Sequence, residues 1–276
     1  MQSPSPAVQT FRKLHESGCF VIPNPWDVGS AKLLVQIGFP ALATTSSGFA
    51  WTLGRADNSI SLDQAFDHLR VMSASVDVPL NADFEGGFAE MPAGVAANVA
   101  VAAATGIAGL SIEDSTGNAS SPLYDFELAV DRVAAARSAI DAAGTGVILT
   151  GRSEGFIAGR PDLAETIRRL TAYAEARADC LYAPGLQTMA DIRAVVAAVH
   201  PKPVNVLVGS DFTTVAELRD AGVRRISVGG ALARAAWTGF FNAAREIADH
   251  GSFTHFAAAV PGSRLNAAFT EGQSAP

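Results

Sequence analysis

Cysteine is nearly absent from this chain: Cys19 and Cys180 are the only two among 276 residues, and each lies inside an apolar run. Two thiols so placed make neither a disulfide framework nor a zinc site, and they read as small buried side chains. Charge is also scarce. Asp, Glu, Lys and Arg together make up 17% of the chain, against roughly 25% in ordinary soluble domains. Alanine and glycine fill the difference, so many helix surfaces carry little charge and self-association is expected to bury some of them. The 27 acidic residues outnumber the 20 basic ones for a formal net charge of -7, and no Lys/Arg cluster forms; a nucleic-acid footprint is thereby excluded. Long apolar runs are missing as well. The Ala-rich stretch near 93–104 is broken by Asn and Gly and is too short to span a bilayer. Met1–Pro6 has neither the basic start nor the apolar core of a signal peptide. The expectation is a cytoplasmic protein with no membrane or nucleic-acid partner.

Histidine is sparse too. His15, His68, His200, His250 and His255 all fall in helical patterns, at their ends or in the tail, which disfavours a histidine base or a Ser-His-Asp triad at a strand end. Nor does a lysine follow any strand-like run. Lys202 precedes one, which argues against Schiff-base chemistry.

What is present is alternation. Strand-like runs at Cys19–Ile22, Ala41–Thr44, Val78–Asn81, Gly109–Ile112, Gly146–Thr150, Cys180–Tyr182, Val204–Val208 and Arg225–Val228 are separated by helical patterns. Those helices are expected at Val28–Ile37, Leu62–Ser75, Val95–Ala104, Asp125–Ala142, Leu163–Ala176, Thr188–Val199 and Val215–Ala221, with another over Leu232–Ala248. A β-α unit repeated eight times suits an α/β fold of the (β/α)8 TIM-barrel type better than an open sheet. A doubly wound sheet is the alternative, but no Gly-x-Gly-x-x-Gly follows the first strand. A helix near Val8–Ser17 is placed to cover the bottom of the barrel. No linker interrupts 1–276, so one domain is expected, with a C-terminal extension from about 251 whose end, Glu271–Pro276, should fray.

The ends of these runs collect the chemistry. Asp83 and Glu85 follow the third and Glu113-Asp114 the fourth, while Arg152, Ser153 and Glu154 follow the fifth. The second leads into Ser46-Ser47-Gly48 and, further on, Asp57. Carboxylates at the C-terminal ends of parallel strands converge on one mouth, where barrel enzymes carry out their reactions. An oxygen-only set of Asp57, Asp83, Glu85 and Glu113 suits Mg²⁺ or Mn²⁺. Helix capping and surface solvation also explain Asp57 and Asp114. Arg152 is a natural clamp for a substrate carboxylate, or else an internal ion-pair partner for Glu113 or Glu154. Ser46–Gly48 offers hydroxyls and N–H groups to an anion, although turn geometry alone also accounts for it. Gly229-Gly230 before a helix has the form of a weak phosphate site.

The segments Thr44–Asp57, Asn81–Gly87, Ser111–Asp114 and Gly151–Gly159 resemble the isocitrate lyase/phosphoenolpyruvate mutase superfamily, and the likeness runs over about residues 7–245. It implies a Mg²⁺-dependent barrel that cleaves or forms C–C or P–C bonds of small 2-oxo or hydroxy carboxylates through a metal-stabilised enolate. It also implies homodimers or homotetramers with C-terminal helices exchanged between subunits. By this resemblance Asp57, Asp83 and Glu113 are metal-site carboxylates, Arg152 binds substrate, and Ser46, Ser47 and Gly48 hold its carboxylate.

Two departures stand out. Asn81-Ala-Asp83 replaces the family's Asp-Ala-Asp, so Asn81 is a neutral, weaker metal ligand for which Glu85 is the candidate compensation. The loop Ser115–Pro122 lacks the Lys, Cys and His of true isocitrate lyases, which disfavours isocitrate or methylisocitrate cleavage. Asn118 matches the loop asparagine of the phosphonate-active branch, without its basic neighbours. Tyr182, Thr116 and Ser120 are the remaining acid–base candidates. The expected function is a Mg²⁺-dependent lyase or hydrolase of an oxaloacetate-like or phosphonopyruvate-like acid. The alternatives are a phosphoenolpyruvate mutase-type isomerase and a non-catalytic barrel that binds a small acid.

Overall fold

The computed structural model describes residues 4–270; the tail at 271–276, expected to fray, lies outside the described residues. Eight strands form one parallel sheet: β1 (Phe20–Ile22), β2 (Leu42–Ala43), β3 (Leu80–Asp83), β4 (Gly109–Glu113), β5 (Ile148–Arg152), β6 (Cys180–Tyr182), β7 (Val204–Leu207) and β8 (Arg225–Ser227). Each pairs with the next from β2 to β8, and β8 pairs with β1. The seam between β1 and β2 is narrowed by Ala43 N–H donating to Pro23 O at 3.0 Å and by Asn24 Nδ2 donating to Thr44 O at 2.9 Å. The result is a nearly closed (β/α)8 barrel with extra helices.

Helix α1 (Pro6–Glu16) precedes the barrel, and α2 (Val28–Ile37), α3 (Ser46–Thr52), α4 (Leu62–Ala74), α5 (Pro92–Ala103), α6 (Phe126–Ala143), α7 (Leu163–Glu175), α8 (Met189–Val199) and α9 (Val215–Asp220) alternate with its strands. The chain then runs through α10 (Ala231–His250), a 3-10 turn (Thr254–Ala258) and α11 (Gly262–Phe269). Local chemistry sets the boundaries. In α2 the Asp27 carboxylate accepts from Ser30 N–H at 2.7 Å at the start, and Gly38 ends it at φ 102°, a left-handed position that glycine reaches without strain.

Within each strand the side chains alternate between the barrel's inside and its helix-facing wall. Leu80, Leu110, Ile112, Leu149, Leu181 and Ile226 are buried on the apolar face where strands meet helices. The opposite set, Asn81, Asp83, Ser111, Glu113, Thr150, Arg152, Asn205 and Arg225, is polar and lies inside the barrel. As expected, α1 covers the bottom: Phe11 is fully buried, and a Cβ on Gly109 would lie 2.6 Å from its ring.

Two differences from the sequence expectation affect the site. Strands β3 and β5 extend two residues beyond the expected Asn81 and Thr150, so Asp83 and Arg152 belong to the strands themselves, because parallel pairing continues through Asp83↔Ser111 and Glu113↔Arg152. The Ser46–Thr52 segment is helical where a loop was expected, with Thr45 Oγ1 accepting from Gly48 N–H at 3.3 Å as its cap. The C-terminal extension carries extra helical structure, as expected, with α11 at Gly262–Phe269.

Candidate active site

The C-terminal ends of the strands form a mouth whose centre is Arg152. Its Nη1 lies 3.1 Å from Asp83 Oδ1 and 3.1 Å from Glu113 Oε2, and its Nε donates to Glu154 Oε1. Its guanidinium carbon also sits 5.1 Å from the Tyr182 ring centroid, a cation–π arrangement. The two alternative ion pairs expected for Arg152 therefore both form, and Asp83 adds a third. Burial opposes the charge of Arg152, but Glu113 and Glu154 outweigh it and hold the guanidinium protonated. Burial likewise pushes the Glu113 and Glu154 carboxyls upward, partly countered by Arg152.

Asp83 is fixed from two sides. Its Oδ2 accepts from Ser46 N–H at 3.0 Å and from Ser46 Oγ at 2.9 Å, while its own N–H donates to Thr44 Oγ1 at 2.9 Å. Ser47 Oγ faces Thr45 Oγ1 at 3.1 Å, and Gly48 is buried. Asp57 is exposed but borders the same cavity as Asp83 and Arg152; burial first, then the Asp83 charge, raises its pKa. Asn81 sits two residues below Asp83 on the same face, 4% exposed, with Oδ1 lacking a partner.

Glu85 stands beside this group in a left-handed backbone conformation, φ 46°. Its Oε1 is buried and unpaired, and burial together with the charges of Asp83 and Asp57 pushes its carboxyl up to about 7. The turn that carries it is clamped from α6: Arg132, fully buried, donates to the carbonyls of Gly86, Ala89 and Glu90 and stacks on Tyr124 at 4.0 Å. Sequence reading missed this clamp, because nothing near Arg132 in the chain marks a loop more than forty residues away.

Other candidates are spent on structure. Asp114 faces outward: Oδ2 accepts from Tyr173 OH at 2.7 Å and Arg169 Nη1 at 3.1 Å, and Oδ1 accepts from Glu154 N–H at 2.7 Å. Gly229 N–H, part of the expected phosphate site, donates to Asn24 Oδ1 at 2.8 Å. Tyr182 is buried, which pushes its hydroxyl up to about 12, so it is a proton donor rather than a base. Asn118 is exposed, and its Oδ1 accepts from Ser120 N–H at 2.9 Å within its own loop, which an isolated bridge between Ser115 and Leu123 pinches shut. Thr116 borders a cavity that Glu85 and Glu113 also line, whereas Asn118 and Ser120 line none of the cavities that hold the mouth's groups. A larger cleft, about 620 Å³, opens outside the barrel between Ser120–Asp125 and Gly159–Arg169, and it holds none of the mouth's groups.

The donor set fits a hydrated divalent cation in chemistry and charge. Five carboxylates (Asp57, Asp83, Glu85, Glu113 and Glu154) surround the single Arg152, and one buried carboxylate oxygen is unpaired. They do not enclose a bare ion: among the described residues no three His, Cys, Asp or Glu side chains gather closely enough to do so. A Mg²⁺ that keeps several waters needs fewer direct ligands than that.

This arrangement has known counterparts. A lyase/mutase from Burkholderia cenocepacia J2315, so named provisionally, shares 46% identity, covers 98% of both chains and superposes with a TM-score of 0.95. The oxaloacetate decarboxylase of Bradyrhizobium diazoefficiens is 29% identical over 66% of this chain and 64% of its own length. A phosphonopyruvate hydrolase solved with oxalate and Mg²⁺ is 25% identical over 94% of this chain and 93% of its own, with a TM-score of 0.83. The family model for phosphoenolpyruvate phosphomutase matches residues 11–248. The chain thus belongs to the phosphoenolpyruvate phosphomutase family.

Proposed function

We propose that this protein is a Mg²⁺-dependent lyase or hydrolase, with Mn²⁺ as the alternative ion, that cleaves a C–C or P–C bond of a small 2-oxo carboxylate. The observation that carries this reading is Arg152, a protonated guanidinium held at the barrel mouth inside a ring of oxygen donors. Its planar N–H groups match a carboxylate; Ser46 and Ser47 border the same cavity and, with Gly48 buried beside them, would receive the other end of that group. Asp83 and Glu113 would hold the ion, with Asp57 and Glu85 beside them, largely through water, and Asn81 is the neutral member beneath. When bound, the ion supplies positive charge that stabilises the enolate released on bond cleavage. Tyr182 stays protonated and is placed to deliver a proton. The loop Ser115–Pro122 closes over the mouth, bringing Asn118 in and keeping water out.

The oxaloacetate decarboxylase and phosphonopyruvate hydrolase relatives support the two bond types. A mutase-type isomerase is less well supported, since no basic residue lies in Ser115–Pro122. The reading further has the protein act in the cytoplasm as a homodimer or homotetramer, exchanging its C-terminal helices. Supporting the assembly, Trp237, Phe240, Phe241, Phe253 and Phe256 are all at least one-third exposed on α10 and the turn after it. No helix among the described residues is long and apolar enough to cross a membrane.

The test is a turnover screen of 2-oxo acids and phosphonates with divalent ions, read by pyruvate release with and without EDTA. Full, EDTA-insensitive turnover by Asp83→Asn would overturn the metal-dependent reading. A second reading, a barrel that binds a small acid without turning it over, is favoured by the neutral Asn81 and by Asp83 having both oxygens engaged. Calorimetric titration with Mg²⁺ or Mn²⁺, with and without oxalate, separates the two: metal-independent binding with no turnover selects the second.

A further inference from the structure

Beneath the mouth the barrel interior is polar where such barrels are normally packed with Val, Ile and Leu. One row of paired residues runs Glu113, Arg152, Tyr182, Asn205, Arg225 and Phe20 across five neighbouring strand pairs. Because barrel strands tilt, such a row descends as it goes round. It starts at the mouth and ends at the floor, where Phe20 packs edge-on against Phe11 and His15 of α1. A cavity of about 170 Å³ follows it down, from Asp57 and Gly230 at the top to Asn205 and Arg225.

Arg225 ends this shaft as a charge without a counterion. It is 3% exposed, and its guanidinium meets only neutral acceptors: Nε donates to Asn205 Oδ1 at 2.9 Å, Nη2 to Thr150 Oγ1 at 3.0 Å, and Nη1 faces His15 Nε2 at 3.4 Å. His15 is neutral, since burial and the nearby Arg225 lower its pKa to about 3, and its Nδ1 is engaged with Phe11 O at 2.8 Å. Among the described residues no carboxylate pairs with Arg225, whereas Arg137, Arg152 and Arg169, also largely buried, each have one. A guanidinium carries five N–H donors. Three are matched here, which leaves one on each terminal nitrogen to meet an anion. A buried cation left without an anion is costly. A second unsatisfied group lines the same shaft: Asn81, 4% exposed, has an unpartnered Oδ1, and its Nδ2 reaches only Ala82 O, at 3.1 Å. Its amide can turn over to present donors instead.

We propose that Arg225, with Thr150, Asn205 and Asn81, forms an anion subsite at the floor of the shaft that takes the second carboxylate of a small 2-oxo dicarboxylic acid. This rests on the mouth being a carboxylate site and narrows its substrate class: a dianion bridges mouth and floor, whereas a monoanion of the same length satisfies only one of them. Asn205 and Thr150 are positioning residues that hold the guanidinium flat across the barrel, and Arg225 supplies the binding charge.

Two measurements test it. The first is calorimetry with Mg²⁺ present, comparing succinate with butyrate. Wild-type protein is expected to bind the dianion at least tenfold more tightly. Arg225→Met should abolish that preference, bringing succinate down to the affinity of butyrate, and Asn205→Asp, which gives Arg225 an internal partner, should do the same in a barrel that keeps its arginine. The second is thermal unfolding with formate and no metal: formate should raise the midpoint of wild type and leave Asn205→Asp unmoved. A preference for succinate that survives in both variants, or a formate shift that persists in them, overturns the floor subsite even if metal-dependent oxalate binding holds. Conversely, a formate shift that depends on Arg225, with neither diacid nor oxalate bound at the mouth, sustains the floor site as an anion site and overturns the mouth reading and the dicarboxylate bridge built on it.

Discussion

Glu113 and Asp114 are consecutive residues at the end of β4, yet they face opposite sides of the barrel wall. Glu113 Oε2 lies 3.1 Å from Arg152 Nη1 in the mouth, while Asp114 Oδ2 bonds to Arg169 and Tyr173 behind it. The strand's two-residue period makes the division, and it separates two kinds of consequence. Asp114→Asn removes the buried one of the two carboxylates on Arg169, leaving Glu165 on its Nε, and weakens the support of Glu154 N–H, which should cost about 3 kcal/mol of stability. Glu113→Gln removes a carboxyl whose ionisation burial already opposes, so its unfolding midpoint should stay near wild type while kcat for the 2-oxo acid falls at least a hundredfold. Paired thermal melts and turnover assays check this, and equal destabilisation by the two changes would show that the division is not functional.

Asn118 provides a test of loop closure. Its side chain is exposed and its bonds stay inside the Ser115–Pro122 loop, so Asn118→Ala should leave the unfolding midpoint within about a degree of wild type, as surface changes do. If the loop carries Asn118 onto bound substrate, kcat/KM should fall roughly 10- to 1,000-fold, as it does when a positioned polar contact to the reacting group is lost. Turnover at the wild-type rate would place Asn118 outside the chemistry.

Much of the fold was legible in the letters. Runs such as Gly109–Ile112 and Cys180–Tyr182, with helices between them, specify the βα repeat, and the helix Val28–Ile37 is bounded by its own Asp27 cap and Gly38 stop. Asp83 and Arg152 read as loop residues because they are charged, yet parallel pairing carries β3 and β5 through them. The role of Asp114 was not legible, since its partners lie 55 and 59 residues away. The polar shaft did leave a signal that apolar runs concealed: Asn81/Asp83, Ser111/Glu113, Thr150/Arg152 and Arg225/Ser227 each repeat at a spacing of two within a strand. Ser46–Thr52 carried the opposite ambiguity, with Ser and Gly that suggest a loop and a Thr45 cap that starts a helix.

The apolar face of α10 makes a prediction about assembly. Phe240 and Phe241 are 58% and 56% exposed beside Trp237, with ring centroids 5.6 and 6.4 Å from the indole. A cluster of this kind on a helix of low charge marks a surface for association. The wild-type protein should sediment as a dimer or tetramer, and Phe240→Glu with Phe241→Glu should lower its mass toward the monomer, because two buried charges per copy oppose the interface. A monomeric wild type at micromolar concentration would count against exchange of the C-terminal helices.

Glu85 makes the stability of the metal-free protein depend on pH. Burial, then the charges of Asp83 and Asp57, raises its carboxyl from 4.5 in the ordinary range to about 7. Between these values the unfolded chain has released the proton while the folded chain still holds it, so the folded state binds more protons and loses stability as pH rises. The decline should begin near the ordinary glutamate pKa, level off just above 7, and total at most about 3 kcal/mol. Glu85→Gln cannot ionise and should remove this part of the slope, leaving that of the other groups. A divalent cation added to wild type above pH 7 should restore stability by pairing with the newly formed charge, and should do so less in the Gln variant. Unfolding midpoints measured from about pH 5 to 8, with EDTA and then with Mg²⁺, decide the matter: parallel curves for the two proteins would mean that Glu85 is ionised throughout and is not the unpaired buried carboxyl of this site.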